Sequence, residues 1–172
     1  MSVVLRFDGA SKGNPGPGGS AAVLYKEGVK VEVCYYYHKR ATNNVAEYYG
    51  LLGGLQLCLE KGFDHVHVEG DSKLVIEQVF GTWKCNDKKM IALCATAKEL
   101  KKQFQSIYGK WIPREQNSEA DHYSNVAVQQ KNSYNWIEWK SESVQQIKQK
   151  TILQAFGNYA WRTGSKDLLG YY

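Results

Sequence analysis

At 172 residues, 43% hydrophobic and 23% charged, the chain is long enough for one globular domain with a short appendage. A chain of this size buries roughly 70% of its unfolded surface, so it needs neither disulfides nor a structural metal to fold, and no apolar run approaches the ~20 residues that cross a bilayer. The net charge of +5 suits a polyanionic partner, since basic proteins concentrate near phosphates, but alone it selects none.

The opening residues, Met1 to Gly13, run into a strand pattern without the apolar segment of a signal peptide, so the expected location is intracellular. Cys34, Cys58, Cys85 and Cys94 match no zinc or redox spacing; a reducing compartment keeps them as thiols, with Cys58 a core hydrophobe.

Val3 to Asp8 reads as a first strand. The stretch from Gly9 to Gly19 holds five glycines and two prolines and reads as a loop. Ser20 to Tyr25 and Val29 to His38 are two further strands around a Lys26-Glu27-Gly28 hairpin turn. A helix runs from a cap at Asn43 or Asn44 to about Glu60 and, being apolar nearly all round, is expected to be buried. His65 to Glu69 forms a fourth strand and Ser72 to Phe80 a short helix. Asn86 to about Gln105 is an amphipathic helix, with Met90, Leu93, Ala97 and Leu100 on one face. Ser106 to Ile112 is a fifth strand stopped by Pro113, and Ser118 to about Gln129 a last helix. This order predicts an α/β fold, a mixed sheet with helices on its faces. Residues 1–130 form that domain. Residues 131–172 are a basic and aromatic C-terminal extension, with six basic against three acidic residues and Trp136, Trp139 and Trp161.

Four acids stand where they need explaining. Asp8 ends the first strand, Glu47 is the sole charge between Asn43 and Leu59, Asp71 follows the fourth strand, and Asp121 lies in the first turn of the last helix. Three have ordinary structural readings: Asp8 opens a turn, Asp71 caps the helix starting at Ser72, and Asp121 closes a capping box with Ser118. Glu47 is different. A carboxylate within an apolar helix costs several kcal/mol unless paired, hydrogen-bonded or bound to a cation, and no Lys or Arg lies within one helical turn of it. In α/β sheets, strand ends and helix starts gather on one edge, where sites form. Parallel pairing of the first and fourth strands makes Asp8 and Asp71 neighbours there, within reach of Glu47 and Asp121. Clustered carboxylates repel one another; a divalent cation relieves that repulsion, and hard oxygen ligands select Mg²⁺ or Mn²⁺.

The segments that carry these acids resemble type 1 ribonuclease H. Asp8 to Gly19 resembles its opening strand and turn, Thr42 to Glu47 its helix-opening motif, and Glu69-Gly70-Asp71-Ser72 its fourth-strand motif. Asn117 to Asp121, followed by Asn125 and Ala127, resembles its closing helix. The four fall in family order across residues 1 to about 130. The resemblance implies a ribonuclease H-like fold, a five-stranded mixed sheet of order 3-2-1-4-5 flanked by helices. It implies an endonuclease that hydrolyses the RNA strand of RNA–DNA hybrids; a monomer with no membrane attachment is the accompanying expectation. Asp8, Glu47, Asp71 and Asp121 would be its catalytic, metal-binding carboxylates. Two Mg²⁺ ions, or Mn²⁺ in their place, would lie about 4 Å apart, one activating water and one stabilising the leaving oxygen. Cleavage would leave a 5′-phosphate and a 3′-hydroxyl.

The resemblance also implies substrate contacts. Gly13, Asn14, Asn43 and Asn44 would read the minor groove and its 2′-hydroxyls, with Ser72 and Lys73 adjoining; helix capping is the competing role for the two asparagines of the helix start. Trp83 and Lys84 would stack on a DNA sugar and contact phosphate, unless Trp83 instead seals the short helix against the next. The chain departs from the family pattern in two places. Pro113 to Asn117 lacks the histidine many members carry there, which leaves Arg114 to act on the phosphate or simply to face solvent. Gly81 to Lys89 is too short for the extra basic helix that some relatives use to hold substrate. The extension from Lys131 either compensates by contacting nucleic acid or packs on the domain through Trp136 and Trp139. Two other functions fit the acids: a different nuclease or strand-transfer enzyme on the same fold, and an inactive hybrid-binding module.

Overall fold

The computed structural model describes residues 2–137. Strand β1 (Ser2–Ser11) sends Val3, Leu5 and Phe7 into the core, and β2 (Gly16–Lys26) and β3 (Val29–Ala41) follow it as an antiparallel meander. Helix α1 (Asn43–Glu60) precedes β4 (His65–Gly70), then α2 (Lys73–Val79), α3 (Lys88–Lys101), β5 (Ser106–Trp111) and α4 (Ser118–Gln130). The strands lie in the order β3-β2-β1-β4-β5, with β1, β4 and β5 mutually parallel, as the resemblance implied.

Three sequence expectations need correction. The glycine-rich stretch is not one loop: β1 continues to Ser11, β2 begins at Gly16, and Ser11 pairs with Gly18. Only residues 12–15 turn, with Lys12 N–H donating to Pro17 C=O at 2.7 Å and Gly13 at φ +101°. Gly9 and Gly19 sit in strands because α1 and α4 press on them, while Gly16 and Gly18 lie against the backbone of Lys12 and Ala10, and these close approaches outweigh the weak strand preference of glycine. The cap of α1 is Thr42, whose hydroxyl accepts from Val45 N–H at 3.2 Å, so Asn43 and Asn44 are left for other work. Helix α3 is also shorter than its apolar spacing suggested; Asp87 caps it, and the chain turns after Lys101 so that Phe104 is buried.

Helix α1 packs on one face of the sheet, where Leu51, Leu52 and Leu55 meet Leu5 and Phe7 with no exposure to solvent. It is buried nearly all round, as its composition required. Helix α4 lies on the opposite face, against β1, β2 and β3. A Cβ on Gly9 would fall on the backbone of Ala46 and Glu47, and one on Gly50 would stand 2.5 Å from Asp8 C=O, so α1 and β1 touch backbone to backbone at these two glycines. Buried Ser20 pins the same contact by donating to Ala46 C=O at 2.6 Å. That bond uses the single hydroxyl proton, so it is His38 Nε2–H that donates to Ser20 Oγ across 2.7 Å.

The four cysteines are free thiols, three of them buried. Among the described residues no helix is long and apolar enough to cross a membrane. Residues 131–137, the start of the expected extension, wrap the outer edge of β3. Tyr134 exchanges backbone hydrogen bonds of 2.9 and 3.0 Å with Tyr35 and stacks on its ring. Trp136 packs on Tyr36 from the α1 face and occupies the space left by Gly53. Trp136 therefore packs on the domain, while Trp139 and Trp161 lie outside the described residues.

Two stability measurements follow. A chain ended at Gln130 loses the Tyr134 pairing and the Trp136 packing, and calorimetry is expected to find it about 2–4 kcal/mol less stable than one ended at Ile137, the cost of truncating a large aromatic side chain; equal stabilities would refute the packing role. Burial holds the His38 imidazole down at about 4, against an ordinary value near 6.5. Unfolded chains therefore take up a proton below pH 6.5 that folded ones refuse until about pH 4, so this contribution is intact above pH 6.5 and lost as pH falls toward 4. His38→Gln should flatten the acid decline in stability over that window by on the order of 2 kcal/mol, and an unaltered decline would contradict it.

Candidate active site

Three elements converge at the C-terminal ends of β1 and β4. Asp8 is carried near the end of β1, Asp71 follows β4 directly, and Glu47 faces them from the second turn of α1 across the Gly9 contact. Ligand oxygens of these three carboxylates lie within 4.8 Å of one another, placed to hold a metal ion. Asp8 is 4% exposed, and its Oδ1 accepts from Gly9 N–H at 2.8 Å. Glu47 Oε2 is buried with no hydrogen-bond partner among the described residues.

Burial, followed by the charge of Asp71, pushes the Asp8 carboxyl up to about 7, and burial with the charge of Asp8 raises Glu47 well above the usual carboxylate range. Both shifts say that the cluster resists carrying its full negative charge. An orphaned carboxylate oxygen inside a set of oxygen-only donors fits a hard divalent cation, which neutralises the charge and satisfies the oxygen together.

Asp121 enters from the first turn of α4 and shares with the three acids a hollow of about 390 Å³, also lined by Ser11, Lys12, Asn43, Arg114 and Asn125. It is not a member of the close set of three. The cap position of α4 is Asn117, not Ser118, so Asp121 closes no capping box with Ser118. Ser72 caps α2 through Val75 N–H, which removes the capping reading of Asp71 as well. Arg114, with its side chain 80% exposed, stands with Nη2 3.9 Å from Asp121 Oδ1, at the mouth of the hollow rather than in a tight ion pair.

The other expected contacts fall in two groups. At the turn, Asn14 Oδ1 accepts from Asn43 N–H at 2.9 Å, while Asn43 Oδ1 accepts from Ser11 N–H at 2.8 Å and from its hydroxyl at 3.2 Å. Gly13 sits in the same turn, and Asn14 and Asn44 line a second hollow with Thr42, Lys88 and Lys89. Lys73 is exposed at the start of α2. Trp83 and Lys84 lie between α2 and α3, outside both hollows, with Trp83 45% exposed. No helix occupies residues 80–87, in keeping with the shortness of that segment.

One residue of this neighbourhood escaped the sequence reading except as part of a motif. Asn117, 1% exposed, donates from Nδ2 to Phe7 C=O at 2.9 Å and to Asp71 Oδ1 at 3.1 Å. No periodicity reveals a bond to residues so distant in the chain.

Comparison with known proteins agrees with this geometry. The family model described as reverse transcriptase-like matches residues 6–127. The bifunctional protein Rv2228c of Mycobacterium tuberculosis is 41% identical over 130 residues, 74% of this chain and 36% of that protein, so the chain spans little more than a third of this relative. The crystal structure of RNase H1 from Halobacterium salinarum superposes with a TM-score of 0.73 at 37% identity, covering 76% of this chain and 99% of that one. LC11-RNase H1, isolated from compost and solved in complex with an RNA/DNA hybrid, does so with a TM-score of 0.71 at 30% identity, covering 75% and 98%. Sheet order, family model and these identities agree: the chain belongs to the type 1 ribonuclease H family.

Proposed function

We propose that this chain is an endonuclease that hydrolyses the RNA strand of RNA–DNA hybrids with the help of divalent cations. One observation carries the reading: the oxygens of Asp8, Glu47 and Asp71 within 4.8 Å of one another, with Glu47 Oε2 buried and unpartnered. The family relationship and the hybrid held by LC11-RNase H1 support the choice of substrate. Residues 1–130 form the catalytic domain and residues 131–172 an extension, in an enzyme that works as an intracellular monomer.

Asp8, Glu47, Asp71 and Asp121 hold two Mg²⁺, with Mn²⁺ as a substitute. Bound there, the cations supply a water of lowered pKa and positive charge beside the scissile phosphate and its leaving oxygen, so that cleavage yields a 5′-phosphate and a 3′-hydroxyl. The protein's own part is placement. Burial of Asp8 and of Glu47 Oε2 keeps water from competing for those oxygens, and Arg114 at the mouth of the hollow offers positive charge to the phosphate.

Selection of the hybrid rests on the asparagine turn. Because Asn14 Oδ1 and Asn43 Oδ1 are both occupied as acceptors, each side chain has its orientation fixed and keeps its NH₂ group, a pure donor, for substrate. Fixed donors suit minor-groove base acceptors and 2′-hydroxyl oxygens, which duplex DNA presents only in part. Gly13 lets the backbone approach closely; Asn44, Ser72 and Lys73 flank the same groove, and Trp83 and Lys84 contact the DNA strand.

The decisive assay follows labelled RNA as hybrid, duplex RNA and single strand, with Mg²⁺ and with EDTA. Metal-dependent cutting of the hybrid alone is expected; equal cutting of all three would reject the selectivity, and binding without cutting would reject the enzyme. Asp8→Asn should lower cleavage about 10²-fold or more, since it removes charge stabilisation worth several kcal/mol. The same variant in EDTA at pH 8 should be more stable than the wild type, by about 1 kcal/mol, because one repelling charge is gone. Full activity in folded Asp8→Asn would end the assignment. Asn14→Ala combined with Asn43→Ala should raise KM for hybrid roughly tenfold or more, the worth of one or two hydrogen bonds, and an unchanged KM would remove the turn from substrate recognition.

A further inference from the structure

We propose that Asn117 is a positioning residue, whose buried amide orients Asp71 for cation binding by tying its carboxylate to the end of β1. The inference rests on the reading of Asp71 as a cation ligand.

Asn117 occupies the cap position of α4, and asparagine is among the best capping residues, a role worth about 0.5–2 kcal/mol. Its side chain makes no capping hydrogen bond. The amide instead turns inward, donating one proton to Phe7 C=O and the other to Asp71 Oδ1, and leaves its own Oδ1 buried with no partner among the described residues. Two opportunities for local stability, a helix cap and a satisfied acceptor, are thus given up. What is gained is a link between the residue before Asp8 and the carboxylate of Asp71, on neighbouring parallel strands.

Asp71 needs such a link because it lies just beyond β4, where the sheet no longer fixes it. Trp111 Nε1–H holds its backbone by donating to Asp71 C=O at 3.2 Å, which leaves side-chain torsion as the remaining freedom. The Asn117 amide removes that freedom at Oδ1. It also leaves the carboxylate's charge in place, because an amide donor, unlike a Lys or Arg, adds no cation that would compete with a metal. An amide serves better than a hydroxyl, since one group must donate twice in a fixed plane. Hydrogen bonds to ligating carboxylates set ligand geometry, and their loss typically costs 10–100-fold in metal affinity.

The test is Mn²⁺ affinity of the whole protein without nucleic acid, read by electron paramagnetic resonance, on wild type, Asn117→Ala, Asp71→Asn and the double variant. Asn117→Ser replaces Asn117→Ala if the latter does not fold, and Tyr48→Phe, which breaks a buried hydrogen bond to Gln78, controls for general destabilisation. Asn117→Ala is expected to bind Mn²⁺ about tenfold or more weakly while Tyr48→Phe binds as the wild type does, and to add nothing further in the Asp71→Asn background, as two residues acting through one carboxylate require. If Asp71→Asn weakens Mn²⁺ binding but folded Asn117→Ala stays within about twofold of wild type, Asn117 is only structural and the proposal is overturned. If Asp71→Asn itself leaves Mn²⁺ binding unaltered, the metal reading of Asp71 fails, and the role of Asn117 fails with it.

Discussion

The site depends on how closely helix α1 lies on strand β1. At Gly9 and Gly50 the two backbones meet with no room for a Cβ between them, and the Ser20 hydroxyl fastens Ala46 C=O to the sheet. Glu47 follows Ala46 directly. A helix one side chain further away would carry Glu47 out of reach of Asp8 and admit water between them. The apolar face that seats α1, with Leu51, Leu52 and Leu55 fully buried, thereby also sets how far Asp8 and Glu47 are withdrawn from water. Packing and reactivity therefore share one cause.

That cause sets the electrostatics. Carboxylates gathered in a half-closed hollow oppose folding when all are ionised, because attraction to water has been lost and mutual repulsion gained. The raised values of Asp8 and Glu47 express this opposition. A protein of this size has only some 5–15 kcal/mol of net stability to set against it. Divalent cations that bind the folded state and not the unfolded chain move the balance back by mass action. In the proposed enzyme, metal affinity and fold stability would therefore be coupled, and changes near the cluster would act on both.

The sheet order was legible only through the family resemblance, whereas the four acids each left a local signal. Glu47 stood out as a lone charge in a helix apolar on every side, and the motifs around Asp8, Asp71 and Asp121 fell in one family order. The extents of β1 and β2 were not legible, since a glycine chosen for close packing looks the same in a sequence as a glycine chosen for a turn; only the partner surface, here α1 and α4, tells them apart. Thr42 rather than Asn43 as the cap was hidden for a similar reason, because both residue types cap well and the choice turned on Ser11 and Asn14 drawing Asn43 away. Asn117 left no signal beyond its place in a motif. Its partners are 46 and 110 residues distant, and a motif states that a residue recurs without stating what it holds.

The asparagine turn and the acidic cluster belong to one mechanical unit. Ser11 continues the strand that carries Asp8, Asn43 opens the helix that carries Glu47, and hydrogen bonds of 2.8 and 2.9 Å join Ser11 to Asn43 and Asn43 to Asn14. In the proposed reaction the groups that sense a ribose and the groups that cut beside it are therefore fixed to the same β1–α1 contact. A hybrid seated on the turn would present its scissile phosphate at a set distance from the carboxylates, with no loop closure required between recognition and cleavage. Duplex DNA would meet the same rigid donors without the 2′-hydroxyls that satisfy them. Selectivity then comes from preorganisation, since donors already aligned gain full value only from a strand that offers acceptors in the matching places.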